Sequence, residues 1–197
     1  MKHRVYTAGF TLIEMMVTIT IAGILLAVAV PSFKSFITRN AVENLQTRFA
    51  AAITAARSEA ASRNTFITIC GSNNGTACVA DQWKAGWIVF VDSNANAAID
   101  AANGTVPADE ILLRFQSANT YPIKFQNEAN TAINSLSFTS QGFVRNDVRA
   151  YATFCSPGKE TTFTRGITIE RSGRVMKATE IAFDTGTGKT VIAINCD

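Results

Sequence analysis

The sequence predicts an α+β protein: one long N-terminal α-helix, with a membrane half and an amphipathic half, packed against antiparallel β-sheets of a globular head. Three observations carry this. Residues 15–30 form an uncharged run in which Thr18 and Thr20 are the only hydroxyls. A helical apolar period then continues to Arg63. From Thr65 the period changes to two, with glycine and asparagine between the apolar segments. The 197 residues suffice for one compact domain plus an appended element but not for two large domains. No internal repeat or long linker divides the head.

Taken in order, the chain opens with Lys2, His3 and Arg4, then Gly9, then an apolar stretch from Phe10 to Val30, then Pro31. At the helical rise, residues 10–30 span roughly 30 Å, about one hydrocarbon core. The basic leader favours a cytoplasmic N-terminus and places the rest outside the cytoplasm. Two ordinary readings are a secretory signal cut near Ala27-Val28-Ala29 and a plain signal anchor. Glu14 fits neither, because a carboxylate in a membrane helix costs on the order of 3 kcal/mol and neither reading supplies a partner. A cut after Gly9 does. It creates an amino terminus at Phe10, four residues before Glu14 and so on the same helix face. That α-ammonium, on the same molecule or a packed neighbour, neutralises Glu14 and gives helices in lipid a reason to pack in register.

Gly9-Phe10-Thr11-Leu12-Ile13-Glu14 and the apolar run behind it resemble the class III signal of type IV pilins and type II secretion pseudopilins. The resemblance implies cleavage between Gly9 and Phe10 by a prepilin peptidase and N-methylation of Phe10, which keeps the charge. It also implies a role for Glu14 in filament assembly, other pilin or pseudopilin subunits as partners, and an inner-membrane assembly platform. The expected organisation is a leader over 1–9, a transmembrane and filament-core helix over 10–30, an amphipathic helix over 31–63 and a β-rich head over 64–197.

Beyond Pro31, which is expected to bend the helix, Phe33, Ile37, Ala41, Leu45, Phe49, Ile53, Ala56 and Ala60 recur at threes and fours. Arg39, Glu43, Arg57, Glu59 and Arg63 fall on other faces. Strands are expected at 65–70, 86–92, 111–115, 121–125, 135–139, 151–155, 166–170, 174–178 and 190–194. The ARSEA stretch (Ala56-Arg57-Ser58-Glu59-Ala60), followed by a cysteine strand and GWIVFVD (86–92), resembles the GspH/FimT group of minor pilins and pseudopilins. A pilin-like fold is what this implies. On packing grounds alone, GWIVFVD is a buried strand with Trp87 in the core.

Cys70, Cys78, Cys155 and Cys196 form no C-x-x-C pair, so zinc-ribbon spacing is absent. An even count behind a membrane-targeting segment points to disulfides in an oxidising compartment. Of three pairings, Cys70–Cys78, closing the polar loop GSNNGTA, and Cys155–Cys196, tying down the C-terminus, are favoured. Four buried thiols are the other reading. The single histidine is His3, in the leader, so triad and imidazole-zinc chemistry have no residue in the remaining chain. No nucleophile motif is present and no cofactor is indicated; the expectation is a protein that is not an enzyme. Without the leader, 16 basic residues face 15 acidic ones, so net charge gives no argument for nucleic acid.

Three stretches of the head are candidate sites. Asp92, Asn94, Asn96 and Asp100 alternate as calcium-loop ligands do, but Ala97 stands where an EF-hand needs glycine and Asn103 where it needs glutamate. Asx residues also form turns for their own reasons, and a solvated loop is the favoured reading. DTGTGKT (184–190) ends like a phosphate-binding loop, yet Phe183 occupies the position of the first glycine, so the motif is rejected. GITIERSGRVMKA (166–178) reads as a hairpin turning on Ser172-Gly173, which sets Arg171 opposite Arg174. Like charges so placed are destabilising, and an anion would relieve them. Residues 141–177 hold seven basic side chains against three acidic ones, while 80–140 hold three against six. Some members of the FimT-type group bind DNA through Gly-Arg-x-Arg in this region. Gly173 and Arg174 match it, Met176 replaces the second arginine, and Lys177 comes one residue late, on the other strand face.

The expected function is a minor pilin-like subunit of a type IV pilus that takes part in assembly or priming. A minor pseudopilin of type II secretion is the alternative, and a DNA-binding pilin for natural transformation a further one. The expected location is the bacterial inner membrane, single-pass, with the head in the periplasm.

Overall fold

A computed structural model describes residues 9–102, 108–117, 121–158, 161–178, 181–184, 189–192 and 196, with backbone alone at 161, 181–184 and 189–192. The leader through Ala8, Asn103, Lys159, the Gly/Thr turn at 185–188 and the end of the expected last strand lie outside the described residues. The chain divides into two compact units, one ending at Arg39 and one spanning Asn40–Asp197.

Helix α1 covers Leu12–Arg63 and runs through Pro31. In the first unit its apolar side chains face outward: Leu12, Ile24 and Val28 are 79%, 62% and 70% exposed. This helix is long and apolar enough to cross a membrane, with a mean hydropathy of 2.3 over its best 18-residue window. Phe33 and Ile37, expected on the buried stripe, also lie in this unit and are exposed. Burial begins at Val42 and continues through Leu45, Gln46, Phe49, Ala52, Ile53, Ala56 and Ala60. The expected stripe is therefore right from Leu45 onward, with Val42 and Ala52 added. Gln46 is a polar member that apolar patterning misses. It is buried because its amide nitrogen donates to the Gly166 carbonyl at 2.8 Å, tying helix to sheet.

The head contains strands β1 (Ile67–Gly71), β2 (Gly86–Val91), β3 (Ile111–Gln116), β4 (Ile123–Asn127), β5 (Ser135–Phe138), β6 (Ala150–Phe154), β7 (Arg165–Ile169), β8 (Val175–Ala178), β9 (Ile181–Asp184) and β10 (Lys189–Ile192). They form one sheet in the order β3-β2-β1-β5, a second in the order β4-β6-β7-β8, and a β9-β10 ribbon. The pairings are antiparallel throughout. Each expected strand is found within a residue or two of its place as far as the described residues extend. Strand β9 was not foreseen: four residues ending in Asp184 give too short a pattern to separate from the turn that follows.

Phe49 of α1 joins both sheets. Its ring meets Trp87 of β2, Phe125 of β4 and Phe154 of β6 edge-on, with centroids 5.0, 5.5 and 5.6 Å away. Trp83 closes the cluster from the loop before β2, 5.7 Å from Phe49, and its indole N–H donates to the Ile133 carbonyl at 2.9 Å. A smaller core of Cys70, Ile88 and Phe90, with Cys78, Ile99 and Ile111 against it, packs separately. Alternation along β1 and β2 sends side chains to opposite faces, so Ile69 and Val89 join the helix-packed core while Cys70 and Ile88 join the second.

Candidate functional site

At the N-terminal end, Gly9, Phe10 and Thr11 precede the helix and Glu14 lies in its first turn. The Thr11 hydroxyl accepts the Glu14 N–H at 3.3 Å, and the Thr11 carbonyl accepts from Met15. Thr11 therefore acts as an N-cap, and Thr11 with Glu14 has the spacing of a capping box. This role was missed, although T-x-x-E before an apolar run is its signature. A carboxylate here also gains from the helix dipole, typically about 0.3–1 kcal/mol. Phe10 lies outside the helix, so the helical i, i+4 geometry expected to join it to Glu14 does not apply to this uncut chain. Phe10 is 77% exposed, and Glu14 is exposed as well.

The loop after β2 is built around Asp92, whose side chain is fully buried. One carboxylate oxygen accepts the Asn96 N–H at 3.0 Å. The other accepts the Ala97 N–H at 3.0 Å and the Thr68 hydroxyl at 2.6 Å. Asp100 accepts from the side-chain amides of Asn94 and Asn96 at 2.6 and 2.8 Å. The Asn94 and Asn96 side-chain oxygens accept backbone N–H groups two residues on, as Asx turns do. The side-chain oxygens of Asp92, Asn94 and Asn96 and one oxygen of Asp100 are thus engaged by donors of the loop and by Thr68 of β1. Among the described residues, no group of three or more His, Cys, Asp or Glu is arranged to hold a metal.

The hairpin between β7 and β8 differs from expectation. Register pairs Ile169 with Val175, and the Glu170 N–H donates to the Arg174 carbonyl at 2.9 Å. The loop is the three residues Arg171-Ser172-Gly173, with Gly173 at φ +75° and its N–H on the Glu170 carbonyl at 2.7 Å. Glu170, not Arg171, stands opposite Arg174. The like-charge opposition that called for an anion is therefore absent. A Cβ at Gly173 would lie 2.4 Å from the Gly142 carbonyl oxygen and 2.9 Å from Arg57 Cδ. Arg57 itself donates to the Gly142 carbonyl at 3.1 Å, fastening to α1 the turn against which Gly173 lies. Arg57 is exposed and off the buried stripe, as periodicity places it; the bond to Gly142 is what periodicity does not show.

The described basic side chains of 141–177 each have partners of their own. Arg171 lies 3.0 Å from Glu128 and 3.3 Å from Asp147, and these carboxylates, Glu128 foremost, hold its pKa above the ordinary arginine value. Arg165 pairs with Glu43 at 2.9 Å. Arg149 Nε lies 2.9 Å from Glu170, though its N–H is not aimed to bond. Lys177 reaches the Thr47 hydroxyl at 3.4 Å, and Arg174 contacts the Met176 sulfur at 2.8 Å. The three candidate DNA contacts thus have separate surroundings. Arg145 donates to the Ala95 carbonyl and lies over the Phe66 ring at 5.7 Å.

Both favoured disulfides are formed, Cys70–Cys78 and Cys155–Cys196, with Cα separations of 5.5 and 5.8 Å. The first closes the loop before β2. The second fixes Cys196 against the end of β6, where it is buried.

Residues 46–193 match the family described as Type II transport protein GspH, and residues 5–30 match the prokaryotic N-terminal methylation motif. The chain is similar to the pilin-like protein PilA1 of Thermus thermophilus, with 28% identity over 168 residues, 84% of this chain and 95% of that one. Among solved structures it is similar in fold to the type IV minor pilin FimU of Pseudomonas aeruginosa. The TM-score is 0.50 at 18% identity, and the match covers 73% of this chain and 92% of that one.

Proposed function

Starting from the fact that this chain belongs to the GspH family of pilin-like proteins, we propose that it is a minor subunit of a type IV pilus, taking part in filament assembly or priming. The observation that carries the reading is the joining of GFTLIE and an exposed apolar helix to a GspH head in one chain. The similarity to PilA1, a pilin-like protein, favours the pilus over secretion. The family description itself, a type II transport protein, favours the second reading, a minor pseudopilin of type II secretion.

In either machine the chemistry is done to the chain, which is not itself an enzyme. A prepilin peptidase cuts between Gly9 and Phe10, and Phe10 is N-methylated. The new α-ammonium of a neighbouring subunit then neutralises Glu14. Because Phe10 precedes the helix, pairing between subunits is the better supported form of this contact. An unpaired carboxylate at the edge of the apolar helix opposes packing in lipid, and a paired one sets the register. The inner-membrane platform receives the anchored subunit, and the head stands in the periplasm, where its disulfides persist. A DNA-binding role has less support, since Arg171 is held by two carboxylates and the Lys177 ammonium reaches the Thr47 hydroxyl of α1.

The test is a strain lacking this chain, with surface pili counted and secreted exoprotein quantified in the same cultures. Loss of pili with intact secretion is expected. Intact pili with lost secretion would transfer the protein to the secretion machine.

A further inference from the structure

Between the loop after β2 and the outer edge of β5 lies a cleft of about 270 Å³, lined by Asn96, Asn127, Ser135, Ser137, Arg145 and Asn146 among others. Among the described residues, none of its lining side chains is a carboxylate. Its one charged group is the half-buried Arg145, which has no acidic partner among the described residues. Desolvating a guanidinium without a counter-charge is costly unless an anion completes the site.

The wall of the cleft is an open strand edge. Gly71 donates to the Asn134 carbonyl and register pairs Ile69 with Leu136, so the bonding partners of β1 are Asn134, Leu136 and Phe138. Hydrogen bonding alternates along an antiparallel strand, so both backbone groups of Ser135 and the N–H of Ser137 turn the other way, toward the cleft, while the Ser137 carbonyl faces the Arg145 N–H across the Phe138–Val144 bridge. The edge is short. A bridge between Phe138 and Val144 closes one end, and a bond from the Ile133 N–H to the Phe125 carbonyl closes the other. A strand added here has room for about three residues before it must stop. Arg145 directly follows the closing bridge, with its guanidinium over Phe66, the neighbour of the Ile67–Phe138 pair.

We propose that this cleft binds the carboxyl terminus of an extended peptide. Its last residues add to the edge of β5 running parallel to it, and its terminal carboxylate meets Arg145 and the amide of Asn146. Main-chain pairing supplies affinity and the charge-assisted bond selects a chain end. A chain end suits an edge that is blocked after three residues better than a continuing strand does. A nucleic acid is disfavoured, since one cation and a row of backbone groups do not match a run of phosphates. That the peptide belongs to another filament subunit rests on the function proposed above; the site itself does not.

The experiment selects random hexapeptides with free carboxyl termini on the full chain in detergent micelles. The enriched sequence is then titrated as the free acid and as the amide. The acid is expected to bind at least about tenfold more tightly than the amide. Arg145→Gln should abolish that difference. Ser135→Glu, which leaves the Arg145–Ala95 bond alone, should weaken the acid about tenfold with the unfolding temperature unchanged. Equal binding of acid and amide, no enrichment over the Ser135→Glu chain, or unaltered affinity in that chain overturns the proposal. Peptide binding lost in Ser135→Glu while pili form normally would sever the site from filament assembly and leave the pilus reading standing.

Discussion

Asp92 illustrates how a residue can look like a ligand and serve as a scaffold. Its buried carboxylate satisfies two backbone N–H groups and the Thr68 hydroxyl. Those bonds hold Ala95 and Ala97 at φ 56° and 61°, a conformation that side chains with a Cβ rarely adopt. Removing the carboxylate leaves the part-buried Ala97 N–H without its acceptor and breaks the buried Thr68 bond, while the Asn96 N–H keeps Asn94 Oδ1, each loss costing about 1–3 kcal/mol. Asp92→Ala should therefore lower head stability by about 2–3 kcal/mol in urea unfolding, and added calcium should leave the wild-type unfolding temperature unchanged. A calcium-dependent rise that Asp92→Ala abolishes would make the loop a cation site. The Asx pattern was legible in the sequence. Which oxygens point inward was not, because that depends on Thr68 from a strand 24 residues earlier.

At the scale of elements, what was legible followed from periodicity. The strands of both sheets were readable as short apolar segments bounded by turn residues, and the helix from Leu45 to Ala60 was readable from its one buried face. The hairpin loop was not. Ser172-Gly173 allows a two-residue turn, and only the pairing of Ile169 with Val175 shows that Arg171 belongs to the loop. That one-residue difference removes the opposed arginines on which an anion site was argued. The loop also depends on contacts distant in sequence, with Gly173 pressed against Gly142 and Arg57. Gly173→Ala should destabilise the head by at least about 1 kcal/mol, from the positive φ and the clash together. Thermal unfolding of the purified chain checks this, and an unchanged midpoint would mean that the tip is not clamped as described. The exposed Arg57 lies off the buried stripe as expected, but helical spacing cannot show that it bonds a loop 85 residues away.

For the whole molecule, the disulfides and the apolar helix divide the tasks. The Cys155–Cys196 bridge closes a sequence separation of 41 and the Cys70–Cys78 bridge one of 8. On chain entropy alone these contribute about 4 and about 2.5 kcal/mol. They stabilise a head that Phe49 already joins to both sheets. The apolar helix leaves its side chains outward, as an element must that finds its partners in a bilayer or in other subunits. Glu14 at its start is accounted for twice, by the N-cap geometry within the chain and by the charge pairing proposed between chains. The two accounts separate in one experiment. Full-length Glu14→Ala is expressed in a strain lacking the native chain, and its leader cleavage, membrane content and presence in sheared filaments are measured together. The pairing account predicts a cleaved, membrane-inserted subunit that is missing from the filaments. Incorporation at the wild-type level would contradict it and leave Glu14 as a helix cap.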